Sequence, residues 1–95
     1  MNLARIYAAQ ICPVCGFKLD FTPWAEGKQI DRDCPSCGIT FGRDDCDEAH
    51  REATYFRLRK QWTEYGRRWW SSNPQPEDYD PVLQLARLEH LATDQ

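Results

Sequence analysis

Five cysteines, at positions 12, 15, 34, 37 and 46, are the residues of this 95-residue chain best suited to chemistry. The first four form two copies of one pentapeptide, Cys12-Pro13-Val14-Cys15-Gly16 and Cys34-Pro35-Ser36-Cys37-Gly38. Two C-x2-C pairs with eighteen residues between them fit the spacing of a structural zinc site. Two thiolates three positions apart grip one ion only if the chain turns tightly between them. Proline after the first cysteine fixes φ for that turn, and glycine after the second takes the positive φ that reverses the chain. Four thiolates from two such knuckles fill a tetrahedron around Zn2+, leave no position for water, and so predict one structural, non-catalytic ion at Cys12, Cys15, Cys34 and Cys37. The alternative is two disulfides, against which the repeated CPxCG pattern and an expected cytoplasmic setting both weigh.

The remaining cysteine lies four residues before His50, a spacing that shares one face of a helix. A Cys46–His50 nucleophile pair would lack both an orienting third group and an oxyanion donor. A lone thiol packed in a small core is the simpler account. His90, among leucines late in the chain, reads as a surface or partly packed histidine.

The elements that must hold these residues follow from patterning. The chain is expected to be one small α+β domain spanning 1–95, with a zinc ribbon over 5–43, a helix over 44–70, a turn or linker over 71–81 and a C-terminal helix over 82–92. Phe17 to Leu19 and Ile39 to Phe41 read as short strands after the knuckles. Between the knuckles, Phe21-Thr22-Pro23-Trp24 and Ala25-Glu26-Gly27-Lys28 read as a turn-rich loop, with Pro23 and Trp24 placed to cover the metal. Asp45 followed by Glu48 fits a capping box. Tyr55, Leu58, Trp62, Tyr65 and Trp69 recur at 3, 4, 3, 4 spacing, one apolar stripe of a helix that Gly66 either ends or interrupts. Asp80 then caps a last helix with Pro81 at its first position and an apolar face of Val82, Leu85, Ala86 and Leu88. The long and short helices are expected to pack as an antiparallel pair beside the ribbon.

Composition bounds the function. A length of 95 residues admits one domain, with 41% hydrophobic and 28% charged residues. No apolar run approaches a membrane span at a mean hydropathy of −0.76, and the N-terminal residues lack a signal-peptide core. A cytoplasmic protein without a membrane partner is expected. Net charge is −3, and four thiolates on one divalent ion would take it to about −5, which argues against a protein that grips phosphate backbones. The charge is uneven. Acids dominate 31–48 and 71–95, whereas Arg51, Arg57, Arg59, Lys60, Arg67 and Arg68 make 50–70 basic.

The run Ile11-Cys-Pro-Val-Cys-Gly-Phe17, the Pro-Trp loop, and Cys34-Pro-Ser-Cys-Gly-Ile-Thr-Phe-Gly-Arg-Asp-Asp45 resemble the small bacterial cysteine-rich CPCC proteins. So do the later Arg-Arg-Trp-Trp-Ser71 and Asp80-Pro-Val-Leu-Gln-Leu85, and the match extends over roughly 6–85. The second knuckle of that family typically reads CPCCG. Ser36 here replaces the middle cysteine, which removes a spare thiol and leaves the outer pair intact. The resemblance implies zinc knuckles followed by helix. Because many such proteins are encoded among toxin–immunity genes, it also implies an immunity protein that covers the active site of a cognate toxin domain.

An immunity protein needs a contact face. Asp44, Asp45, Asp47 and Glu48, or Glu77, Asp78 and Asp80, would suit a toxin acting on nucleic acid or nucleotides, whose cleft is basic. Trp24, Trp70 and Tyr79 are the candidate aromatic anchors. The alternative function is a nucleic-acid-binding zinc ribbon using the basic helix with its interleaved tryptophans. An enzyme is not expected, since no catalytic set accompanies the cysteines.

Overall fold

The computed structural model describes residues 2–24 and 30–93. The loop residues Ala25-Glu26-Gly27-Lys28 lie outside the described residues. Each CPxCG pentapeptide sits at the tip of a miniature hairpin, and the two hairpins repeat the same construction. In the first, Ile11 pairs with Lys18. In the second, β1 (Arg32–Asp33) pairs antiparallel with β2 (Thr40–Phe41), Arg32 opposite Phe41 and Asp33 opposite Thr40. The Ile11–Lys18 and Asp33–Thr40 pairs occupy equivalent positions, one residue before the first cysteine and three after the second.

The backbone closes each tip identically. The Gly16 amide donates to the Cys12 carbonyl at 2.9 Å and the Gly38 amide to the Cys34 carbonyl at 2.9 Å. The Cys12 amide donates to Phe17 and the Cys34 amide to Ile39, also at 2.9 Å. Gly16 and Gly38 have φ of 79° and 87°, the left-handed values that the turn demands and that glycine adopts without a Cβ penalty.

The helices differ from the sequence reading in three ways, each with a local cause. First, α1 (Leu3–Ala8) was not expected. Asn2 accepts from the Arg5 amide at 3.2 Å, and Ile6 is buried. Six residues are too few to display a convincing period, so tertiary packing decides this element.

Second, the helix expected over 44–70 is shorter. A 3-10 turn (Glu48–His50) leads into α2 (Arg51–Glu64). Asp47, not Asp45, caps the entry, accepting from the Ala49 amide at 3.2 Å. At the other end Gly66 and Arg67 both have positive φ, 89° and 56°. The Gly66 amide bonds the Thr63 carbonyl at 3.0 Å and the Arg67 amide bonds that of Trp62 at 2.9 Å, a Schellman termination. The apolar stripe therefore holds for Tyr55, Leu58 and Trp62. Tyr65 is exposed, and Trp69 lies beyond the helix with its ring edge-on to Phe17 and Tyr79.

Third, α3 (Pro81–Thr93) does not pair with α2 as expected. Asp80 caps it by accepting from the Leu83 amide at 3.1 Å. Its Leu88, with Leu91 and Ala92, packs against Ile6 and Ile11 along α1. Between α3 and α2 runs a groove lined by Arg59, Leu85, Leu88, Glu89 and Ala92. The unforeseen α1 takes the place that α2 was expected to fill. The main core is Val14, Leu19, Ile39, Phe41, Tyr55 and Trp62, wrapped around the cysteines.

Candidate metal centre

The two hairpin tips face one another, so Cys12, Cys15, Cys34 and Cys37 converge with all four sulfurs within 4.8 Å of each other. Cys12 Sγ lies 3.7 Å from Cys37 Sγ, and Cys15 Sγ lies 3.7 Å from Cys34 Sγ. A tetrahedron of sulfurs bonded to zinc at about 2.3 Å has an edge of about 3.8 Å. A disulfide would bring sulfurs to about 2.05 Å. All five cysteines are free thiols, so the disulfide alternative does not hold here. The donor set fits one tetrahedral metal ion.

Burial shapes the electrostatics of the cluster. Removal from water and the adjacent sulfurs hold the Cys12 and Cys37 thiols well above their usual range. At Cys15 burial pushes up, but hydrogen bonds from Cys12, Cys34, Cys37 and Ser36 prevail and hold it well below. Four thiolates in so small a space need a cation among them, which is the chemistry a bound metal ion supplies.

Both knuckles are braced from outside. Arg59 on α2 donates from Nε to the Val14 carbonyl and from a terminal nitrogen to the Pro13 carbonyl, each at 2.7 Å. Gln84 on α3 donates to the Cys15 carbonyl at 3.2 Å and to Ser36 Oγ at 3.4 Å, so one amide links the two knuckles. The Ser71 amide reaches the Pro35 carbonyl at 2.9 Å. The hydroxyls of Ser36 and Tyr79 lie 3.0 Å apart, and Tyr79 donates onward to the Arg67 carbonyl at 3.1 Å. Ser36 is thus a buried hydrogen-bonding hub.

The expected contact residues divide into two groups. Asp45 is only 1% exposed and is withdrawn as a contact. Its carboxylate accepts from the Gly42 amide at 2.6 Å, Trp24 Nε1 at 2.7 Å and the Tyr55 hydroxyl at 2.5 Å. Tyr55 in turn lies 2.6 Å from the Tyr7 hydroxyl. Burial and the Asp45 carboxylate push the Tyr55 phenol far above its usual range, so it stays protonated.

Trp24 belongs to the same network. Its ring carries the Arg51 guanidinium at 4.0 Å, and it is held at φ 55°, so it serves the fold. Asp44, Asp47, Glu48, Trp70, Glu77, Asp78 and Asp80 are exposed, while Tyr79 is half-buried. Cys46 is exposed, not packed in a core as expected. His50 does not share a helical face with Cys46 and instead bonds Asp47 at 2.8 Å. His90 is exposed.

A cleft of about 510 Å³ opens beside the second knuckle, walled by Leu58, Gln61 and Trp62 of α2, by Tyr65 at its C-terminal cap and by the returning chain at 68–70. Sequence reasoning missed this cleft and the bracing roles of Arg59 and Gln84. Arg59 reads as one more base on a charged helix, and only the distant carbonyls at 13 and 14 reveal its task. Compared with known proteins, the chain matches no family model, no curated protein and no solved structure.

No described helix is long and apolar enough to cross a membrane.

Proposed function

We propose that this chain is a protein-binding module of zinc-ribbon type, held by one structural Zn2+ at Cys12, Cys15, Cys34 and Cys37, and that it acts as an immunity protein occluding a cognate toxin domain. The observation carrying this reading is the closed, all-sulfur cluster. All four metal positions are filled by protein and braced by Arg59 and Gln84, an arrangement suited to stiffening a scaffold rather than activating water. The immunity role itself draws on the resemblance to CPCC proteins.

The surface supports binding to a protein. Tyr65 and Trp70 are 78% and 56% exposed, and large aromatics dominate interface hot spots. The acids Asp44, Asp47, Glu48, Glu77, Asp78 and Asp80 stand ready to steer a basic partner. Nucleic-acid binding, the alternative, loses two of its bases. Arg51 is tied to the Asp45 carbonyl and stacked on Trp24, and Arg59 is spent on knuckle carbonyls.

The test is co-expression with the C-terminal domain encoded by the adjacent reading frame. Rescue of growth with co-elution on size-exclusion chromatography is expected. Toxicity without rescue or co-elution would overturn the immunity reading.

A further inference from the structure

The cleft beside the second knuckle has a composition that the scaffold does not require. Trp62 comes from α2 and Tyr65 from its C-terminal cap, and Trp70 comes from the returning chain and lies against Gly38. The Trp62 indole nitrogen is tied to the Arg68 carbonyl at 3.2 Å, which fixes that ring as part of the wall. Tyr65 and Trp70 are exposed at the mouth. With Trp69, four aromatic residues line the one opening and offer negative ring faces, the setting that attracts a cation.

Charge points the same way. Asp44 lines the cleft and, among the described residues, accepts only from the Thr40 amide, at 2.8 Å. Asp33 on β1 accepts from the Thr40 hydroxyl at 2.7 Å, so a second carboxylate bonds the same threonine, just outside the lining of the cleft. Neither makes an ion pair among the described residues. Cys37 is also on the wall, and four thiolates around one divalent ion leave that centre with a charge of about −2. Arg68 is the single basic residue on the wall. The balance stays negative, which repels a phosphate and favours a cation.

We propose that this cleft receives an arginine side chain of the partner protein, its guanidinium flat against Trp70 and Tyr65 and paired with Asp44. A planar guanidinium both stacks and hydrogen-bonds, which an ammonium does less well. The volume is ample for such a side chain with its neighbouring backbone. The inference deepens the protein-binding reading and names the chemistry of the contact.

The test is an NMR titration of the zinc-loaded protein with acetyl-Gly-Arg-Gly-amide, read at the tryptophan indole N–H signals, with the triglycine peptide and adenosine monophosphate as comparisons. Saturable movement of the Trp70 signal by the arginine peptide alone is expected. Asp44→Asn should weaken it about fivefold, and Arg68→Gln should tighten it. Zinc content measured on the same samples reports the fold. Should Asp44→Asn lose zinc, the surface variant Tyr65→Ala, expected to weaken binding severalfold, decides in its place.

No saturable shift, or affinity unchanged in the deciding variants, overturns the proposal. So does saturation of the same signals by the nucleotide, which would make the cleft a base-stacking site. Failure here with a co-eluting toxin domain removes the arginine pocket alone. Peptide binding without any toxin partner removes the immunity role alone.

Discussion

The buried carboxylate of Asp45 shows how one side chain is committed by its surroundings. It terminates three donors from three separate segments, the Gly42 amide, Trp24 and Tyr55. Asp45→Ala leaves those donors without an acceptor and is expected to cost about 2–4 kcal/mol in denaturant unfolding at fixed zinc. Asp47→Ala, at an exposed cap, should lower the midpoint by clearly less. The sequence placed these two residues in one acidic cluster, because nothing in their order distinguishes a carboxylate that faces inward.

Tyr55 carries the pH dependence of this network. Its phenol is held above the ordinary value of 10.0, while the unfolded chain ionises near that value. The native state therefore keeps a proton that the unfolded state loses, and the associated stability is full below pH 10 and falls as pH rises above it. Tyr7 and Tyr79 are also raised by burial and add to the slope. Tyr55→Phe should be less stable at pH 8 and lose stability less steeply between pH 10 and 11, measured by urea unfolding with zinc present. An equal slope in both proteins would contradict this assignment.

Glycines separate contact from conformation in the knuckles and helices. A Cβ on Gly16 would lie 1.9 Å from the Gln84 carbonyl oxygen, backbone of α3 that cannot turn aside. Gly16→Ala should thus cost more than about 2 kcal/mol and loosen α3 from the first knuckle, seen as faster amide exchange at 84–88. Gly66, with a comparable φ of 89°, has its nearest neighbour 3.6 Å away on a flexible arginine. Gly66→Ala should cost only the backbone preference, about 1–2 kcal/mol.

The knuckles could be read from the chain because CPxCG writes turn, ligand and reversal into five consecutive residues. Asp80-Pro81 was equally readable as a helix start, since cap and first position are adjacent. The end of α2 was only half readable, as Gly66 is a common C-terminal signal but the left-handed Arg67 after it is not. The partner of α3 was not readable at all. Leu88 meets Ile6 and Ile11 across most of the chain, and an apolar face does not say which other face it will cover.

For the molecule as a whole, the cysteines bind its halves together. The first hairpin touches α2 through Arg59 and α3 through Gln84, and the second is held by the chain at 70–71 and by Tyr79. A chain of 95 residues has a modest core, and metal binding at such a site supplies folding free energy on the order of 10 kcal/mol. Chelation should therefore unfold the chain cooperatively, with near- and far-ultraviolet circular dichroism lost together. Cys34→Ala should abolish metal binding and most of the order of the second hairpin, whereas Cys46→Ser should change neither.

The most direct measurement is zinc-edge X-ray absorption on the purified protein, combined with metal content by mass spectrometry. One zinc per chain surrounded by four sulfurs at about 2.3 Å is the predicted result. Oxygen or nitrogen in the first shell, fewer than four sulfurs, or a folded chain that carries no metal would contradict the account.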